Sequence, residues 1–146
     1  MERSANQISS FTKAQKQTVI LICGLVTGMA FVDSTALNVS LPAIQKSLSA
    51  TAADAFWVLE IYLLFLAALL MAGGALGDNW GRRRSLRLGV IAFAATSLAC
   101  ALAQDASQLI LFRAAQGIGA ALMIPASLAM INASFAPDER GVAIGS

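Results

Sequence analysis

Gly74-Ala-Leu76-Gly-Asp78-Asn-Trp-Gly81-Arg82-Arg83-Arg84-Ser-Leu86 decides how the rest of the chain is read. One acid, three arginines and a set of glycines (Gly73, Gly74, Gly77, Gly81) share a connection of only a few residues, with long apolar stretches on both sides. A break this short predicts two membrane-length helices packed side by side. Its basic charge predicts that it lies on the cytoplasmic face.

The composition agrees with a membrane protein. Of 146 residues, 58% are hydrophobic and 12% charged, about half the charged fraction of a soluble domain. A net charge of +2 gives no electrostatic case for binding nucleic acid. There is no His, and Cys23 and Cys100 both sit inside apolar segments, where they read as small core residues. No cofactor or metal is therefore expected. Nor does any segment carry a nucleophile–base pair, so an enzyme is not expected either.

Four apolar segments cover roughly 18–37, 55–76, 85–103 and 107–131. As helices each reaches about 28–38 Å, enough to cross a ~30 Å hydrocarbon layer. Continuous apolar runs without period-two alternation favour helices over a barrel, giving an all-α integral membrane protein. Residues 1–16 are polar and predict a short cytoplasmic segment, and a fifth span is expected to start near Arg140. Arg3, Lys13 and Lys16 before the first run have the look of a signal peptide. The length of that run, and the three that follow, favour a retained span.

Connections at 41–54 and 103–107 are predicted to lie outside. Arg3, Lys13, Lys16, Arg82, Arg83, Arg84, Arg87 and Arg140 then fall on one side and Lys46 on the other. The positive-inside rule predicts a cytoplasmic N-terminus. Gly24-x-x-x-Gly28, Gly73-x-x-x-Gly77 and the patch Gly117, Gly119, Ala120, Ala121 are candidate helix-packing surfaces.

Asp33, Glu60 and Arg113 fall within predicted spans, where each costs about 2.5–3.5 kcal/mol at a helix centre unless it has a partner or a wet cavity. Counting residues from the span ends puts all three in the outer half at similar height. An Asp33/Glu60–Arg113 cluster around a water-filled cavity is the resulting expectation. Simpler roles stand beside it. Glu60 can snorkel to water beside Trp57 and Tyr62, Asp33 can make a packing hydrogen bond, and Arg113 can form a static ion pair.

Several motifs resemble one family. G-x-L-x-D-x-x-G-R-R at 74–83 resembles the loop between the second and third spans of Major Facilitator Superfamily transporters. Leu109-Ile-Leu-Phe-Arg113-Ala-Ala-Gln116-Gly117-Ile-Gly119-Ala120-Ala121 resembles the fourth-span motif of its proton-coupled members. Phe31-Val-Asp33-Ser-Thr35-Ala-Leu-Asn38-Val-Ser-Leu41-Pro42 and Trp57-Val-Leu-Glu60-Ile-Tyr62 look like spans one and two of the fourteen-span drug:proton antiporters. Pro137-Asp-Glu-Arg140-Gly resembles the connection into span five. Asn79 departs from the pattern, standing where the family loop usually has a basic residue.

The resemblance implies multidrug efflux by proton antiport from the bacterial inner membrane, with small amphipathic substrates. It implies that Arg113 serves proton transfer, with Asp33, Glu60 and Gln116 at the coupling site and cavity. Gly74, Asp78, Gly81, Arg82 and Arg83 would form a conformational latch. The family has twelve or fourteen spans in two halves, so the chain is expected to be the N-terminal portion of such a bundle, completed by a missing C-terminal half or by oligomerisation. An uptake or metabolite-export carrier shares the loop motif and stays open as an alternative, as does a non-transporting membrane scaffold.

Overall fold

The computed structural model describes residues 13–134. They form four helices: α1 (Lys13–Ser47), α2 (Ala52–Trp80), α3 (Arg82–Ala101) and α4 (Ala106–Ser134). All four are long and apolar enough to cross a membrane, and the chain is a multi-pass membrane protein. Most of the predicted N-terminal segment, the loop around Pro137 and the start of the expected fifth span lie outside the described residues.

The helices outrun the predicted spans, most of all at α1. The loop expected at 41–54 shrinks to a turn, and α1 continues through Pro42 to Ser47. Proline removes only its own N–H, and near a helix end water can take the Asn38 carbonyl that this frees. Ser49, at φ 50°, then stops the helix in the left-handed region. Thr51 restarts it with a reciprocal cap. Its hydroxyl accepts from the Asp54 amide at 3.1 Å, and its own amide donates to the Asp54 carboxylate at 2.8 Å.

Helix α4 is the centre of the bundle. More than half of its most apolar stretch is buried, against less than a quarter in each other helix. Small residues explain this, since they let three backbones converge. A Cβ at Gly117 would come within 2.6 Å of the Tyr62 carbonyl oxygen, and one at Gly119 within 2.8 Å of the Phe93 amide. Gly73 of α2 lies directly against the Ala121 carbonyl. Around these approaches Tyr62, Leu86, Phe93, Ala120, Met123 and Ala126 close a core that α1 reaches through Val26.

Helix α1 is attached more loosely. Val19 and Cys23 pack on Ile131, and the Cys23 thiol donates to the Ser127 carbonyl at 3.4 Å. Beyond that, much of α1 faces outward or lines a groove. Among the described residues no helix packs on Gly24 or Gly28, contrary to expectation: both are exposed, and a Cβ at either would meet nothing within 4 Å. Spacing alone identifies a smooth face without saying whether a partner lies on it. Gly28→Ala is therefore expected to leave thermal stability unchanged or raise it by up to about 1 kcal/mol through helix propensity. Thermal unfolding of the detergent-solubilised chain checks this.

Candidate functional site

Three of the intramembrane polar groups converge between α1 and α4. The Arg113 guanidinium donates through Nη1 to Asp33 Oδ2 at 2.6 Å and to Gln116 Oε1 at 2.6 Å. Gln116 Nε2 donates to the other carboxylate oxygen, Asp33 Oδ1, at 2.7 Å. The result is a closed ring of hydrogen bonds. Arg113 and Gln116 lie three residues apart on α4, the helical spacing that puts two side chains on one face.

Helix α2 supplies the rest of the guanidinium's surroundings. Arg113 Nε donates to the Val58 carbonyl at 3.3 Å, and the guanidinium carbon sits 4.4 Å from the centre of the Tyr62 ring. That distance is within cation–π range. Tyr62 in turn meets Phe93 of α3 edge-on, 6.4 Å between ring centres. The Cys100 thiol lies 3.8 Å from Gln116 Oε1. Among the described residues no buried side-chain nitrogen or oxygen lacks a partner, as a low-dielectric site requires.

Exposure separates the roles of the pair. The Arg113 side chain is 3% exposed and that of Asp33 17%. The guanidinium is sealed, while the carboxylate opens onto a groove of about 1110 Å³ between α1 and α3. Gly24, Gly28 and Val32 line one wall, and Phe93, Ser97 and Cys100 the other. Asp33 is the charged group of the ring that a proton or a cation entering the groove reaches most readily.

Glu60 is a correction to the expected cluster. It is exposed, while Val58 and Tyr62, two residues to either side, are buried. At about 100° per residue those two share one face of α2 and Glu60 points to the opposite one. Counting residues along a span fixes height but not direction around the axis. Tyr62 was missed for the same reason: it reads as part of an interfacial aromatic belt, whereas its i, i+4 spacing from Val58 puts it against the arginine.

The basic loop lies at the other end of the bundle. Gly81 closes α2 and opens α3 at φ 98°. Its amide donates to the Gly77 carbonyl at 3.0 Å, and its own carbonyl accepts from the Arg84 and Ser85 amides. A side chain there is strained whatever space surrounds it. Gly81→Ala should cost about 1–2 kcal/mol, read as a lower unfolding temperature. Arg82 Nη1 donates to the Ala129 carbonyl of α4 at 2.9 Å, and its Nε lies 3.5 Å from Asp78 Oδ1. The ion pair is largely exposed and worth ~0–1 kcal/mol, a strength that can be made and broken. Gly74 faces Pro125 at ordinary contact distance, and the Arg83 side chain is exposed.

Residues 23–146 match the Major Facilitator Superfamily. The chain is 40% identical over 117 residues to the tetracenomycin C resistance and export protein of Streptomyces glaucescens, covering 80% of this chain and 22% of that protein. It is 36% identical over 138 residues to the methylenomycin A resistance protein of Bacillus subtilis, covering 94% of this chain and 29% of the relative. The methyl viologen resistance protein SmvA of Salmonella typhimurium is 39% identical over 127 residues, covering 86% of this chain and 26% of its own length. The chain thus spans less than a third of each of these relatives, and it belongs to the Major Facilitator Superfamily.

Proposed function

We propose that these helices form the proton-binding part of a drug-efflux antiporter, completed by further helices that close the groove. The observation that carries this reading is the position of Asp33. One side of its carboxylate is held by Arg113 and Gln116, and the other is open to a mainly apolar groove. Protonation of Asp33 removes the negative partner of Arg113 and weakens the hold of α1 on α4. A lipophilic cation in the groove favours the ionised carboxylate, so proton and cation compete for one charge. Competition of this kind, alternating between two faces of the membrane, is antiport.

The names of the relatives, which concern resistance to and export of antibiotics and methyl viologen, support efflux as the direction. Arg82, Arg83, Arg84 and Arg87 gather at the end of the bundle where α1 begins, which supports a cytoplasmic N-terminus in a bacterial inner membrane. Asp78 and Arg82 act in this scheme as the latch, through an exposed ion pair that one conformation makes and the other releases. Protons and a small amphipathic cation are the partners.

Ethidium efflux driven by a proton gradient in everted vesicles tests the proposal. In the transporter carrying these helices, Asp33→Asn should reduce efflux to the level of vesicles without the protein, with unchanged amounts in the membrane. Undiminished gradient-driven efflux by that variant would refute it.

A further inference from the structure

A second groove, of about 550 Å³, lies at the arginine-bearing end of the bundle, remote from Asp33. It runs between the first turns of α1 and α3 and the last turns of α4. Its floor is apolar: Val19 and Leu86 are buried, with Ile22 and Met130 beside them. Its rim is basic, formed by Arg83 and Arg87 one turn apart on α3.

Among the described residues neither arginine has an acidic partner. Among the described residues the ion pairs are Asp78–Arg82 and Asp33–Arg113, and the Arg87 Nε donates only to the Arg83 carbonyl, at 3.3 Å. The first turn of α3 brings the unpaired amides and positive end of a 20-residue helix to the same place, with no side-chain cap at Gly81. Two unneutralised guanidiniums above an apolar slot, at the end of membrane-spanning helices, complement one kind of molecule. It must carry a phosphate at the height of the head groups and a hydrocarbon tail below it.

We infer that this groove binds an anionic phospholipid, its phosphate between Arg83 and Arg87 and its acyl chain against Val19, Ile22, Leu86 and Met130. Such a lipid would bridge α1 to α3 at the end where α1 is otherwise held by the small cluster around Val19, Cys23 and Ile131. The site does not depend on the proton-coupling reading, since Asp33 and Arg113 take no part in it.

Native mass spectrometry of the full chain, released from detergent with either phosphatidylglycerol or phosphatidylcholine of identical acyl composition, tests the inference. Wild type should retain phosphatidylglycerol in preference to phosphatidylcholine. Arg83→Gln and Arg87→Gln should each weaken that retention about fivefold, as expected for one basic group at an anionic surface. Arg84→Gln removes the same charge from a side chain outside the groove and should leave retention unchanged. Ile22→Trp fills the slot with both arginines intact and should also lose the lipid, with helicity by circular dichroism preserved. Equal retention of the two lipids, or equal weakening by Arg84→Gln, would overturn the proposal in favour of diffuse charge. Displacement of the lipid by millimolar inorganic phosphate would overturn it in favour of a free-anion site.

Discussion

Arg113→Ala should destabilise the bundle by about 3–5 kcal/mol, the range found when one partner of a buried ion pair is removed. The guanidinium satisfies Asp33 Oδ2, Gln116 Oε1 and the Val58 carbonyl, and it lies on the face of Tyr62. Alanine takes one donor from each of these acceptors and leaves the Asp33 carboxylate charge without its cation. It also removes a group that ties α4 to both α1 and α2. Arg113→Lys should recover only part of the loss, because a point charge cannot reproduce a planar fork that meets two acceptors and an aromatic face. In the double variant Asp33→Asn/Arg113→Ala the penalty should be smaller than the sum of the single losses, since no orphan charge remains. Thermal unfolding of the purified proteins, followed by circular dichroism, measures all of these.

Gly73→Leu should cost an amount at or beyond the upper end of the about 1–3 kcal/mol typical of overpacking. Pro125 lacks the N–H that would otherwise bond the Ala121 carbonyl within α4. That carbonyl lies against Gly73, where a Cβ would collide with it. The obstacle is backbone on both sides, so α2 and α4 must separate for any side chain to fit. Separation pulls Val58 and Tyr62 away from Arg113 and so reaches the ion-pair site from several turns below. The effect should therefore appear twice, as a lower unfolding temperature and as weakened gradient-driven efflux. Gly28→Leu is the matched control. Its surroundings are open, and it should change stability little.

Both effects show what the sequence could convey. Helix number and approximate position were legible because unbroken apolar runs leave little else for a chain in lipid to do. The convergence of Asp33 on Arg113 was legible too, since two opposite charges at similar depth have strong reason to meet. The failure of Glu60 to join them was not. Helices that are apolar all round carry no stripe from which to read the inward face. For the same reason Gly24 and Gly28 looked no different from Gly117 and Gly119, though among the described residues only the second pair is packed. The parts played by Tyr62 and the Val58 carbonyl depend on how α2 is rotated against α4. That rotation is set by the close approaches at Gly73 and Gly117, and no local pattern encodes it.

The central claim is that proton and substrate share the charge of Asp33. Proton release on substrate binding measures this most directly, with the detergent-solubilised transporter in weakly buffered solution and ethidium as the cation. At a pH acidic enough to protonate Asp33, wild type should release up to about one proton per ethidium bound, as competition for a single carboxylate requires, and Asp33→Asn should release none. Equal release by the two proteins would contradict the account.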